Sequence, residues 1–283
     1  MSNLTELIKE LREKTGAGFL DCKKSLESNN NDIEKSIEEL RKKGLAKASK
    51  KSDRVANEGA VGFYSNNKIT VLIKVNSETD FAAKSDTFLD FLDILGNLVL
   101  QKNNTLNKNE FLKLQYESGT VEDFFNSMIA KIGENLILND LIIKENKNSK
   151  YAFYIHNSYR NNIGKIISLI EYTSDNKNNE IEALSKNLCM HIAAMKPESL
   201  DISDLDKNLI KNEENIQREL ILNSGKPSNI VDKILVGKMK KFYSEITLLN
   251  QSYILDQDKS VREIINQFSK TDFNLISFEL INL

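Results

Sequence analysis

The sequence predicts an α+β protein with a small helical module at its N-terminus. Three observations lead there. The first 54 residues carry apolar side chains at helical spacing, cut into short pieces by glycine and asparagine turns. The middle of the chain twice runs a β-branched hairpin into an apolar helix, with Phe63 and Phe153 holding equivalent places 90 positions apart. Between the second of these units and its closing apolar run lie two further amphipathic helices.

Taken in order, Leu4, Leu7, Ile8 and Leu11 follow the i, i+3, i+4, i+7 rule of a helix with one buried face. Gly16-Ala17-Gly18 ends that helix, because glycine enters a left-handed turn without steric cost. A second short helix spans about Phe19 to Ser28, and Asn29-Asn30-Asn31 makes a polar turn. Asp32 is placed to cap a third helix carrying Ile33, Ile37 and Leu40, with Gly44 as its stop. Lys47 to Arg54, basic and almost free of large apolar residues, reads as a linker. A module this small buries little surface and suits presenting an apolar helix face to a partner.

Ala60 to Tyr64, an Asn66-Asn67 turn and Ile69 to Val75 form the first hairpin. Ala152 to Ile155, Asn161-Asn162 and Ile163 to Ile170 form the second, which puts His156 at its polar tip, exposed and able to touch a partner. Helices follow with Phe88, Leu92, Leu95 and Leu98 in one case and Ile181, Leu184, Leu188 and Ile192 in the other. Leu136 to Ile143 and Phe273 to Leu280 close the two halves, giving two related subdomains, each a small antiparallel sheet backed by helices. The inserted segment carries Leu205, Leu209, Ile216 and Leu220 on one stripe and Ile230, Ile234 and Phe242 on another. Ser224-Gly225-Lys226-Pro227 joins them into an antiparallel helical hairpin. The expected organisation is a module at 1–54, a core subdomain at 55–145, a second at 146–200 and 244–283, and the hairpin at 201–243.

Chemistry is harder to place. The 283 residues carry 39 Lys+Arg against 41 Asp+Glu, so the near-zero net charge of −2 gives no reason to expect direct binding of nucleic acid or an anionic membrane. Two histidines, two cysteines and no tryptophan make a metal cluster, a disulfide framework or a histidine-based catalytic site hard to assemble. No cofactor is expected. Cys22 and Cys189 read as reduced thiols, and the N-terminus from Met1 has neither a basic leader nor an apolar run, so a cytoplasmic protein is expected. Gly16-Ala17-Gly18 fails as a dinucleotide loop, since Asp21 holds the third glycine's place and a helix precedes the turn. Gly225-Lys226 fails as a phosphate loop, with Pro227 in place of Ser or Thr. His191, after Cys189-Met190 on an apolar helix, reads as a core or interface residue.

The most unusual stretch is Asn76 to Lys84, which follows an apolar strand and opens a helix with Thr79 as its cap. Composition alone reads it as a helix start in which Phe81 packs inward and Asp80 favours the helix dipole. Yet Thr79-Asp80-Phe81-Ala82-Ala83-Lys84 closely resembles the signature of bacterial translation elongation factor Ts. So do Leu11 to Gly18 with Asp21-Cys22-Lys23-Lys24, Lys131-Ile132-Gly133-Glu134-Asn135, and His191-Ile192-Ala193-Ala194 before Lys196-Pro197. Ser224 to Pro227 and Lys238-Met239-Lys240-Lys241-Phe242 match as well, all in order from about residue 4 to 280.

That resemblance implies a guanine-nucleotide exchange factor for the GTPase elongation factor Tu, and not an enzyme. It implies that Asp80 and Phe81, with Ala82 and Ala83 completing the segment, disturb the magnesium site of the partner. The family usually has valine at the place of Ala82, so a slightly smaller wedge is expected. It further implies partner contacts at Ile132, Gly133 and His156, and at Arg12, Phe19, Leu20 and Lys23 on the N-terminal module. Many members continue into a C-terminal module; with Leu283 following soon after the last strand, binding is expected to rely more on the N-terminal module and core. The rival expectation is a scaffold protein binding another chain through the module and the hairpin. The hairpin also leaves homodimerisation open. An enzyme using Asp80 as a base lacks any partner residue in the sequence.

Overall fold

A computed structural model describes residues 4–102, 106–117, 119–146, 148–174, 179–225, 227–268 and 273–283. Lys226 of the hairpin turn and Met1 to Asn3 of the stretch read for a leader lie outside the described residues. The chain divides into two compact units, one of residues 1–147, 155–166 and 281–283, the other of 148–154 and 167–280.

The first unit opens with α1 (Leu4–Thr15), α2 (Phe19–Ser28) and α3 (Ile33–Ser49). Gly16, at a φ of 64°, breaks the first helix, and its N–H bonds back to the Arg12 carbonyl at 2.8 Å. The three helices share a small core of Ile8, Leu11, Cys22, Leu26 and Leu40. Asp32 caps α3 by accepting the Lys35 N–H at 3.1 Å. A hairpin follows, β1 (Glu58–Ser65) and β2 (Ile69–Ser77), whose turn is set by the Asn66 side chain accepting the N–H groups of Lys68 and Ile69 at 2.8 and 2.9 Å. Then come α4 (Asp80–Ala83) and α5 (Asp86–Lys102), which buries Phe88, Phe91, Leu92 and Leu95 in the main core.

Next lie α6 (Lys108–Leu112), the short pair β3 (Gln115–Tyr116) and β4 (Gly119–Thr120), and α7 (Val121–Ile132). None of these is among the elements the sequence predicts, although Asn107-x-x-Glu110 and Thr120-x-x-Asp123 both form capping boxes. β5 (Leu136–Glu145) pairs antiparallel with β2 from Ser77↔Leu136 to Ile69↔Glu145, closing the sheet where expected.

Packing on α7 corrects one boundary. The third helix does not stop at Gly44 but runs to Ser49, so Lys47 to Ser49 belong to it and not to a linker. A methyl at Gly44 would sit in ordinary contact with Ala130 on α7, Arg41 pairs with Asp123 at 2.7 Å, and Ala48 enters the main core. Those contacts outweigh glycine's poor helix propensity, about 1 kcal/mol.

A long hairpin of β6 (Lys150–Arg160) and β7 (Ile163–Thr173) is divided between the units. In the first unit, Ile163 and Gly164 pair with Gly62 and Val61 of β1. The second unit continues with α8 (Asn179–Met195), α9 (Lys207–Asn223), α10 (Ser228–Ile246), the pair β8 (Ser252–Tyr253) and β9 (Asp256–Ser260), α11 (Val261–Gln267) and β10 (Asn274–Asn282), which pairs with β7. Its core gathers Ile170, Ile181, Leu184, Leu188, Ile192, Val261 and Phe273. The expected α+β class and its helix-backed antiparallel strands are therefore present.

The helical hairpin is α9 against α10, but its seam differs from the predicted stripes. Ile221 packs inward on Val231, Leu235 and Met239, with Ile210, Ile234, Phe242 and Tyr243 partly buried against them. Leu209, Ile216 and Leu220 face out, the last two more than half exposed. Among the described residues no helix is long and apolar enough to cross a membrane.

Candidate partner-docking site

Strand β2 is buried almost throughout, and the chain leaves it at Glu78-Thr79. Thr79, in extended conformation, caps α4: its hydroxyl oxygen accepts the Ala82 N–H at 3.2 Å. From beneath, the Ser77 hydroxyl donates to the Thr79 carbonyl at 2.9 Å. Ala82 and Ala83 are both buried, Ala83 in the main core. With successive side chains about 100° apart around a helix, those two inward residues leave Phe81 pointing out. Phe81 is 83% exposed, the reverse of the inward packing that composition alone suggests. Ala82 likewise supports the turn from below, so its small size leaves the outer surface of the turn to Phe81 and Asp80.

Asp80 pairs with Lys84 at 2.7 Å. The hydrogen bond from Lys84 is the main reason the Asp80 carboxyl titrates below its usual range, with Lys165 adding a favourable charge. Reciprocally, Asp80 holds the Lys84 ammonium above its usual range. Such a solvated pair adds little stability. What it does is keep a charged carboxylate beside an exposed phenyl ring. Across from the cap, the Thr79 N–H and hydroxyl donate to the two carboxylate oxygens of Glu134, at 2.9 and 2.6 Å.

The other expected contact residues are all in the first unit. Gly133, at a φ of 89°, ends α7 in a left-handed turn, and the Lys51 ammonium donates to its carbonyl. Ile132 is half-buried against the core, so only part of it is available outside. Glu134 ties this turn directly to the Phe81 turn. On α2, Cys22, Ser25 and Leu26 face inward, which leaves Phe19 and Leu20 48% and 68% exposed. Lys23 is half-buried and lies 3.7 Å from Glu27, one helical turn on. Arg12 is exposed near the end of α1. His156 is exposed too, but it lies within β6 and not at the hairpin tip, which is Asn161-Asn162. The sequence gives Glu134 no role of its own, since nothing local says that it reaches a residue 55 positions away.

Among the described residues no three His, Cys, Asp or Glu side chains gather as a metal-holding group. Comparison with known proteins places the chain among the translation elongation factors. A family model described as elongation factor TS matches residues 78–282. The chain is 37% identical over 271 residues to elongation factor Ts of Sinorhizobium fredii (strain NBRC 101917 / NGR234), covering 96% of this chain and 88% of that one. It is 39% identical over 268 residues to elongation factor Ts of Methylorubrum extorquens (strain PA1), covering 94% and 87%. To elongation factor Ts of Rhizobium meliloti (strain 1021) it is 36% identical over 271 residues, covering 96% and 88%. The chain belongs to the elongation factor Ts family.

Proposed function

We propose that this chain binds the GDP form of elongation factor Tu and speeds GDP release, leaving the GTPase free to load GTP. The observation that carries the reading is Phe81, a phenylalanine 83% exposed on a turn braced from three sides. A large apolar side chain held rigidly in water is preorganised for a pocket on another molecule. Burying it supplies about 1.5–3 kcal/mol. Coupling between two sites is typically about 1–3 kcal/mol, so Phe81 contributes a sizeable part and the rest of the interface adds to it. Magnesium demands near-octahedral geometry from few protein oxygens, so displacing its neighbours loosens it and leaves the GDP phosphates poorly neutralised. Asp80, charged and adjacent, is the second element of that disturbance. Arg12, Phe19, Leu20 and Lys23 on the module and Ile132, Gly133 and His156 on the core serve as further contacts. The chain then works in the cytoplasm as a non-enzymatic factor, with nucleotide and metal belonging to its partner.

Stopped-flow release of labelled GDP from the cognate GTPase tests this. Wild type should accelerate release strongly, and the Asp80→Ala/Phe81→Ala variant should lose most of that effect. No acceleration by wild type overturns the reading in favour of a scaffold. A second reading concerns the hairpin, whose outward Leu209, Ile216 and Leu220 favour pairing of two copies. Sedimentation of the isolated protein as a monomer at tens of micromolar would dismiss it.

A further inference from the structure

We propose that Glu134 is a positioning residue for the Phe81 turn, aiming it through Thr79; the proposal rests on the exchange reading above. Thr79 is the pivot between β2 and α4. Its hydroxyl oxygen accepts the Ala82 N–H at 3.2 Å, which commits a lone pair. Its hydroxyl proton goes to Glu134 Oε1 at 2.6 Å and its backbone N–H to Glu134 Oε2 at 2.9 Å. One carboxylate thus holds the side chain and the backbone of the same residue. Charge-assisted bonds to two oxygens fix orientation as well as distance. With the Thr79 torsion fixed, the direction of α4 is fixed, and Phe81 projects from its second position.

Glu134 has a firm base of its own. It follows the left-handed Gly133, whose N–H closes on the Ile129 carbonyl at 3.0 Å. Next to it, the Asn135 N–H donates to Glu78 Oε1 at 2.7 Å, so the two segments exchange carboxylates: Glu78 holds residue 135 and Glu134 holds residue 79. The Asn135 amide also donates to the carbonyls of Ser52 and Arg54 at 3.2 and 2.8 Å. Glu134 itself is only half-buried. A carboxylate at such a site is not needed to hold the core, whereas the aim of an exposed ring does depend on it. Without it, the Thr79 hydroxyl proton and N–H lose their shared acceptor and only the cap bond from Ala82 is left to the hydroxyl, so the turn samples more directions and ordering it falls on the docking step.

The test is GDP release from the cognate GTPase at increasing concentrations of this protein, with Glu134→Ala, Glu134→Gln, Phe81→Ala and the Glu134→Ala/Phe81→Ala pair. Glu134→Ala should lower the maximal rate about tenfold, with the half-saturating concentration changed by less than about twofold. Glu134→Gln keeps the side-chain length and an acceptor for the Thr79 N–H, and should restore most of the rate. In the Phe81→Ala background, Glu134→Ala should add nothing, because its effect passes through the ring. Wild-type rates in Glu134→Ala overturn the proposal. So does a loss that adds in full to that of Phe81→Ala, or one matched by a lowered unfolding midpoint, because each assigns Glu134 to folding. A wild type that fails to accelerate release defeats the exchange reading instead, an outcome these variants do not imitate.

Discussion

His191 lies fully buried on α8, facing the residues on either side of β8, and its two ring nitrogens have different tasks. Nδ1 accepts the Ile254 N–H at 3.2 Å, so the neutral ring carries its proton on Nε2 and donates it to Gln251 Oε1 at 2.9 Å. The Gln251 amide donates onward to the carbonyls of Met195 and Glu245, at 3.3 and 2.9 Å, and Tyr253 stacks on the ring. Burial pushes this histidine's pKa below its ordinary 6.5. Below pH 6.5 the unfolded chain therefore takes up a proton that the folded chain refuses. The contribution of His191 is complete above pH 6.5 and is lost as pH falls toward the lowered value. The melting temperature of wild type should drop more steeply between about pH 7.5 and 5.5 than that of His191→Gln. Parallel slopes would refute this. The sequence marked His191 as a core or interface residue, because it follows Cys189-Met190 on an apolar helix, and its full burial decides for the core. It could not mark Gln251, 60 positions away, as its partner. Phe81 illustrates the same boundary: residue types show a capped helix start, but only the burial of Ala82 and Ala83 against the core decides that the ring faces out.

At the scale of elements, the helical hairpin is where periodicity was ambiguous. In α9 the pairs Leu209-Ile210 and Leu220-Ile221 place two apolar residues about 100° apart, and α10 selects the second of each pair. Two predictions follow from that selection. Ile221→Ala should destabilise the hairpin by about 2–4 kcal/mol, whereas Ile216→Ala should stay within about 0.5 kcal/mol. Hydrogen exchange of the α9 and α10 amides is the measurement to use, since a hairpin can open without the rest of the chain. Equal protection in the two variants would contradict the observed seam. Gly237 sits exposed within α10, and a methyl there would meet nothing within 4 Å. Gly237→Ala should therefore stabilise the helix by about 0.5–1 kcal/mol, visible as slower exchange in α10. Capping boxes were legible but unread: Ser260-x-x-Glu263 opens α11 just as Thr120-x-x-Asp123 opens α7. The extension of α3 past Gly44 was not legible, because it depends on Ala130 and Asp123 of a helix about 80 positions away.

At the scale of the whole molecule, removing residues 1–54 is a poor probe of docking. Ala48 belongs to the main core, and Ser52 and Arg54 accept hydrogen bonds from Asn135, so truncation damages the unit it leaves behind. Point substitutions separate the two effects. Phe19 and Leu20 are exposed, so Phe19→Ala/Leu20→Ala should leave the melting temperature nearly unchanged. If each side chain is buried on docking, the pair should weaken affinity for the GTPase by at least about tenfold, with little change in the rate once the complex is saturated. On the exchange reading the Phe81 turn should behave in the opposite way, because its interactions would then oppose GDP as well as hold the partner. Coupling is reciprocal: whatever factor this protein removes from GDP affinity, GDP removes from the affinity of this protein. Titration calorimetry against nucleotide-free and GDP-loaded GTPase gives both affinities, and wild type should prefer the nucleotide-free form. In Asp80→Ala/Phe81→Ala the two affinities should converge, while in Phe19→Ala/Leu20→Ala both should fall and their ratio should hold. A ratio that shrinks equally in both variants would mean that the coupling is spread over the whole interface and not concentrated at the turn.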